Sequence, residues 1–263
     1  MSIEKVISYC WFGHNPLPEK VKICISSWKR MCPDYKIIEW NESNYDINKH
    51  PYMRDAYKNK KWAFVSDYAR LDIIYEHGGI YLDTDVELVR PLDTLLDCSA
   101  FLSIDKEDFS VNTGLGFGAE ARNPLIKKLL SAYDNARFIK EDGSLNLKAC
   151  PAYSTEVLEK LGYVREDKSQ NIEGVNILSS DYFCPMNFKD GSLNKTENTI
   201  GIHWYEASWF SKDDKIIHDK EALFNRKYPI FISRILSKGY RLSYRLIQYI
   251  KDGTLIDRIM RKW

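Results

Sequence analysis

The chain has 263 residues, with 38 Lys+Arg against 37 Asp+Glu, five His and six Cys. That length suits one large domain with a modest appendage, and a hydrophobic share of 44% with 13% aromatics excludes a disordered or low-complexity protein. A formal net charge of +1 argues against a globally basic nucleic-acid binder.

Taken in chain order, Lys5 to Trp11 is β-branched and aromatic and reads as a buried strand ended by Gly13. Pro18 opens a helix with Leu17, Val21, Cys24, Ile25 and Trp28 at one-face spacing. A turn at Pro33-Asp34 leads into a second strand, Tyr35 to Trp40. This strand–helix–strand opening is that of an α/β sheet. A helix is expected from about Lys61 to His77, stopped by Gly78-Gly79, and then a short strand, Ile80-Tyr81-Leu82. Further on, Phe109 to Ala119 reads as a strand broken by glycines. Asn123-Pro124 caps a helix reaching about Arg137, Ser154 to Leu161 is helical, and Ile200 to Trp204 is a strand.

The cysteines (Cys10, Cys24, Cys32, Cys98, Cys150, Cys184) form no Cys-x-x-Cys pair, which excludes zinc-ribbon spacing and a disulfide framework. The N-terminal residues lack the apolar core of a signal peptide, and no stretch approaches the roughly 18 consecutive apolar residues of a membrane span. The expected setting is a reducing cytoplasm.

The chemistry concentrates at Asp83-Thr84-Asp85, which directly follows the Ile80–Leu82 strand. Carboxylates at i and i+2 past a strand end can aim oxygens at one hard cation, with a diphosphate filling the rest of its shell. Among 21 Asp, about one or two Asp-x-Asp triplets arise by chance, so the motif draws its weight from context. That context is Asp67 and Arg70, i,i+3 on the preceding helix and therefore on one face. They form either an intrahelical ion pair or a carboxylate and guanidinium that grip sugar and phosphate oxygens.

The runs Ser66-Asp67-Tyr68-Ala69-Arg70 and Gly78-Gly79-Ile80-Tyr81-Leu82-Asp83-Thr84-Asp85 together resemble the glycosyltransferases with a DXD-containing sugar-binding region. That group includes initiating α-1,6-mannosyltransferases, α-1,4-galactosyltransferases and bacterial capsule-synthesis enzymes, and more distantly the glucosyltransferase domains of large clostridial toxins. The resemblance covers about Ile3 to Leu96. It implies a GT-A fold, a Rossmann-like mixed sheet flanked by helices, with ligands at the strands' C-terminal ends. It also implies a catalytic set of Asp67, Arg70, Asp83 and Asp85. In that set Asp67 and Arg70 hold the donor sugar, Tyr81 approaches the β-phosphate or sugar, Asp83 meets ribose or a metal-bound water, and Asp85 binds the metal. Trp11, with Phe12 beside it, matches the position that stacks on uracil. His203-x4-Ser208-Trp209 resembles a late motif in which His completes the metal shell and Ser and Trp contact the diphosphate. Asn112, in Val111-Asn112-Thr113-Gly114, faces donor or acceptor. Imidazole with oxygen ligands suits Mn²⁺ or Mg²⁺.

The expected reaction is a metal-dependent, retaining transfer of a hexosyl group from a nucleotide-sugar to an acceptor hydroxyl. A UDP-sugar is favoured as donor, and a glycan or polyprenyl-linked glycan of capsule, exopolysaccharide or cell-surface synthesis as acceptor. An Asp-x-Asp phosphohydrolase fits less well, because its nucleophile usually follows the first strand and Glu87 stands where it needs Thr or Val. A non-enzymatic sugar-nucleotide binder would not need every site residue in place.

The balanced charge conceals two opposed parts. Residues 226–263 carry ten Lys/Arg against two Asp/Glu, a net of +8, which leaves residues 1–225 at −7. The expected division is therefore a catalytic domain over 1–225 and a basic amphipathic helical segment over 226–263. Such a segment reads as an element for an anionic membrane surface on the inner face, or as a helix packing on the core or on a partner.

Overall fold

Strand β1 (Val6–Cys10), helix α1 (Glu19–Met31) and strand β2 (Lys36–Trp40) form the expected opening. They do so in a computed structural model that describes residues 2–205 and 212–254. β1 lies between β2 and β3 (Gly79–Tyr81) and runs parallel to both, with Ile7 opposite Ile37 and Ile80. A strand buried on both faces favours an apolar run, which Val6–Cys10 supplies except at Ser8, whose hydroxyl accepts the Trp40 indole N–H at 3.0 Å. Gly79 is required where the helix ending at His77 hands over to β3: its φ is +89°, and a Cβ there would lie 2.8 Å from the Val6 carbonyl oxygen.

Helices α2 (Pro51–Lys58) and α3 (Trp62–His77) connect β2 to β3. Beyond β3 come β4 (Val86–Leu88), β5 (Ala100–Ser103), β6 (Phe117–Ala119), α4 (Pro124–Ser131), α5 (Cys150–Glu159), β7 (Gln170–Ile172), β8 (Val175–Leu178) and β9 (Gly201–His203). Seven strands form one mixed sheet in the order β2-β1-β3-β6-β5-β8-β7, and β4 pairs with β9 in a separate antiparallel ribbon. Side chains alternate between two cores. Phe101 packs with Ile7, Trp28 and Ile80 on one face of the sheet, while Ala100 and Leu102 pack with Leu71, Ile74 and Tyr133 on the other.

Three expectations shift at their edges. Of the predicted strand Phe109–Ala119 only β6 remains. Asn112 Oδ1 accepts the Gly114 N–H at 2.8 Å, and this local turn withdraws the backbone from the ladder. The helix capped by Asn123 ends at Ser131, and the chain then bends to bury the Tyr133 ring against Tyr52 and Tyr153. α5 begins at Cys150, before Ser154, because Pro151 is accommodated in the first helical turn.

Among the described residues the chain divides into two compact units, one within 1–186 and 194–206, the other within 187–193 and 207–263. The second contains helices α6 (Lys212–Lys227) and α7 (Ile230–Lys251). They run antiparallel, joined by the bidentate Arg241–Glu221 pair at 2.7 Å, a Tyr244–Asp213 hydrogen bond of 2.9 Å and a Ser233–Asn225 bond. No described helix is long and apolar enough to cross a membrane.

Candidate active site

Two features of the fold bring the acidic motif and His203 together. Asp83-Thr84-Asp85 forms the connection from β3 to β4, and β4 pairs with β9 so that Val86 lies opposite His203. The Trp204 N–H donates to the Asp85 carbonyl at 3.0 Å, locking the ribbon to the motif. Ligand atoms of Asp83, Asp85 and His203 then fall within 4.8 Å of one another. His203 is 4% exposed; its Nε2 is 3.3 Å from Asp85 Oδ1, and its buried Nδ1 has no hydrogen-bond partner. A buried imidazole close to two carboxylates suits a hard divalent ion. These three residues therefore constitute a candidate metal site.

Around them lies a buried charge network. α3 is buried from Asp67 to Ile74, so its ionic side chains need partners. Arg70 has three: Nε donates to the Ser66 carbonyl at 3.0 Å, Nη2 to Asp67 at 2.9 Å and Nη1 to Asp83 at 3.2 Å. Three of its five N–H bonds are thereby used. Asp67 Oδ2 accepts the Cys150 N–H at 3.1 Å, placing a carboxylate at the N-terminus of α5. Burial pushes the Asp67 carboxyl up while Arg70 opposes it. Tyr81 donates to Asp83 Oδ1 at 3.1 Å and lies under the Arg70 guanidinium, 5.1 Å from ring centre to Cζ. The Asp83 carboxyl is pushed up to about 6 by burial, against Arg70 and with Asp85 adding to the rise. His203 is raised as well: burial resists its charge, but Asp85 and Asp83 outweigh burial.

The remaining expected residues divide. Asn112 stands beside this network: its Oδ1 and Gly114 share a turn, and its Nδ2 donates to Asp105 at 3.2 Å. Trp11 follows the end of β1, half-buried, its indole N–H donating to the Asn15 carbonyl at 2.6 Å. Phe12 is buried against Tyr45 in the core. Ser208 and Trp209 lie outside the described residues.

Sequence reasoning named Gly114 without its steric role and passed over Asp105, Tyr205 and Cys150 as site residues. A Cβ at Gly114 would clash with Asp83 Oδ2 and lie 2.8 Å from Arg70 Nη1, so only glycine lets this loop close on the pair. Asp105 binds Asn112 through one oxygen and Tyr205 through the other at 3.1 Å. Cys150 supplies the backbone N–H held by Asp67. Asp105 carried a usable signal, since like Asp83 it follows the end of a short apolar strand. Tyr205 and Cys150 carried none, because their placement depends on long-range packing.

Residues 18–102 match the family described as the glycosyltransferase sugar-binding region containing a DXD motif. Over this stretch the chain resembles that family. The matched stretch runs from α1 to β5 and includes Asp67, Arg70, Tyr81, Asp83 and Asp85. Over 77% of the chain, the sequence is 24% identical to "Subversion of eukaryotic traffic protein A" of Legionella pneumophila, covering 34% of that protein. It is 30% identical over 120 residues to inositol phosphoceramide mannosyltransferase 3 of Schizosaccharomyces pombe, covering 44% of this chain and 33% of that protein. The chain thus spans about a third of the length of these curated relatives. Among solved structures, PaToxG glycosyltransferase superposes with a TM-score of 0.50 at 22% identity, over 60% of this chain and 70% of that one. That likeness concerns the fold, which is GT-A.

Proposed function

We propose that this protein is a metal-dependent, retaining glycosyltransferase that moves a hexosyl group from a nucleotide-sugar, with UDP favoured, to an acceptor hydroxyl. The observation that carries the reading is the meeting of Asp83, Asp85 and His203 within 4.8 Å, with Arg70 bonded to Asp83. Asp83, Asp85 and His203 would hold a divalent ion, Mn²⁺ or Mg²⁺ being suited to them, and it would supply positive charge to offset that developing on the departing diphosphate.

The chain's own residues do the rest. Arg70 fixes Asp83 and lends positive potential from beneath the site. Tyr81 holds the other Asp83 oxygen and so orients the carboxylate. Asp67, fixed by Arg70 and the Cys150 N–H, sets the position of α3 beside the donor sugar. Asn112, anchored by Asp105, presents an amide edge to donor or acceptor. No side chain in this set is placed as a nucleophile for double displacement. A front-face attack is therefore favoured, with the leaving phosphate oxygen taking the acceptor's proton. Ser208 and Trp209 would add contacts to the diphosphate, and Trp11 a stacking surface for the base.

The acceptor proposed is a glycan or a lipid-linked glycan of cell-surface or capsule synthesis. A relative named for mannosyl transfer to inositol phosphoceramide supports a lipid-borne hydroxyl. The test is a screen of nucleotide-sugars for Mn²⁺-dependent hydrolysis without acceptor. Slow release of one nucleoside diphosphate is expected. If no donor is turned over or bound, while an aryl phosphate is hydrolysed, the reading is wrong.

A further inference from the structure

Helix α7 carries five basic residues and no acidic one, and it presents three distinct faces. At about 100° per residue, Ser233, Leu236, Tyr240 and Tyr244 point one way. This is the face turned to α6, as the Ser233–Asn225, Tyr240–Phe224 and Tyr244–Asp213 contacts show. Arg234, Lys238, Arg241 and Arg245 form the adjoining face. Phe231, Ile235, Leu242 and Leu246 form a stripe beyond it, and all four are exposed, from 48% to 72%.

Between the first two faces lies a groove of about 650 Å³ whose walls include Lys189, Arg234, Lys238 and Arg241, against the carboxylates of Asp190 and Glu221. Glu221 is committed to Arg241, and neither Arg234 nor Lys238 pairs with a carboxylate among the described residues. The groove therefore keeps a positive surplus, and it borders an apolar stripe that nothing described covers.

We propose that α6 and α7 seat the protein on an anionic phospholipid bilayer. The α7 stripe enters the boundary between headgroups and acyl chains, and the Arg234–Lys238 groove receives lipid phosphate. A row of basic side chains beside an exposed apolar stripe is the arrangement such a surface selects. The same charge disfavours a second copy as occupant, because a two-fold pairing would set the five cations of each α7 against those of the other. This inference does not depend on the chemistry proposed above.

The test is co-sedimentation of the full chain with vesicles of phosphatidylcholine, alone or with about a third phosphatidylglycerol, with near-UV and far-UV circular dichroism of each variant as a folding control. Strong binding to the anionic vesicles and little to the neutral ones is expected. Arg234→Ala with Lys238→Ala should weaken anionic binding about tenfold or more. Leu242→Glu with Leu246→Glu should abolish it, and both pairs sit on exposed positions that the fold tolerates. Equal partition onto both vesicle types, or none onto either, would overturn the proposal. A dimer in sedimentation velocity that Leu242→Glu with Leu246→Glu dissociates would overturn it too, assigning the stripe to self-association.

Discussion

At the scale of single residues, the site is a network of charges in which Asp83, Asp85 and His203 come close enough to hold a cation. Gly114 is the residue whose role depends most on space. Gly114→Ala should lower kcat/KM for donor hydrolysis about tenfold or more, since its methyl displaces Asp83 or Arg70. A substitution that leaves kcat/KM unchanged would show that the loop can relax around a methyl group. The pH response follows from Asp83 and His203. Asp83, ordinarily near 3.8, binds its proton up to about 6 in the folded chain, so its stabilisation of the metal-free protein is present at low pH and lost as pH rises through about 6. His203 is raised above 6.5, and its contribution is likewise present below that value and lost as pH rises through the folded one. An ion needs both groups deprotonated. The Tm of the chelated protein should therefore fall between about pH 5 and pH 8, while the Mn²⁺-induced rise in Tm should be larger at pH 8 than at pH 5.5. A Mn²⁺ effect that shrinks on going to pH 8 would place the ion elsewhere.

At the scale of elements, helix α1 holds the ribbon that carries the motif. The Trp28 indole N–H donates to the Val86 carbonyl at 2.7 Å, and the Ser27 hydroxyl accepts the Leu88 N–H at 2.8 Å. α1 thus pairs with the side of β4 that β9 leaves open. Trp28 is fully buried and meets Tyr9 edge to face. Trp28→Ala should cost about 3–5 kcal/mol in urea unfolding, and should weaken Mn²⁺ binding by loosening Val86 next to Asp85. A loss of stability with unchanged Mn²⁺ affinity would separate α1 from the site. The elements with strong local patterning, β1, α1, β2 and α3, were readable because an apolar run or a one-face spacing is written in consecutive residues. α2 escaped because Pro51–Lys58 spans only about two turns, too short for its buried Tyr52, Met53 and Ala56 to repeat as a pattern, and β4 because its three residues are a strand only by pairing with β9. The glycine-rich run before β6 was misread as strand because the Asn112–Gly114 turn is a side-chain effect that alternation does not encode. Asp67, Arg70, Asp83, Asp85 and His203 were each named from sequence. That Arg70 reaches Asp83, and that Asp67 holds the start of α5, required the fold.

At the scale of the whole molecule, the two units differ in how they are held. The first has a two-faced sheet with extensive cores, whereas in α6 and α7 only Ile217 and Ser233 are buried among the described side chains. Backbone amides of α7 should exchange with deuterium at least ~100-fold faster than those of β1 and α3, as expected of an element with few buried contacts. Equal protection in both would mean that α7 is covered in solution. The net charges of −7 over residues 1–225 and +8 over residues 226–263 follow a similar division, with the basic residues gathered where an anionic surface is proposed. Asp83, Asp85 and His203 are proposed to hold a divalent ion needed for turnover of a nucleotide-sugar. The most direct measurement is nucleoside diphosphate release from the preferred nucleotide-sugar by wild type and by Asp85→Ala, each after chelation and after Mn²⁺ is restored. Wild type should lose turnover on chelation and regain it with Mn²⁺, while Asp85→Ala, folded by circular dichroism, should stay inactive throughout. Turnover by Asp85→Ala at the wild-type rate would contradict the proposal.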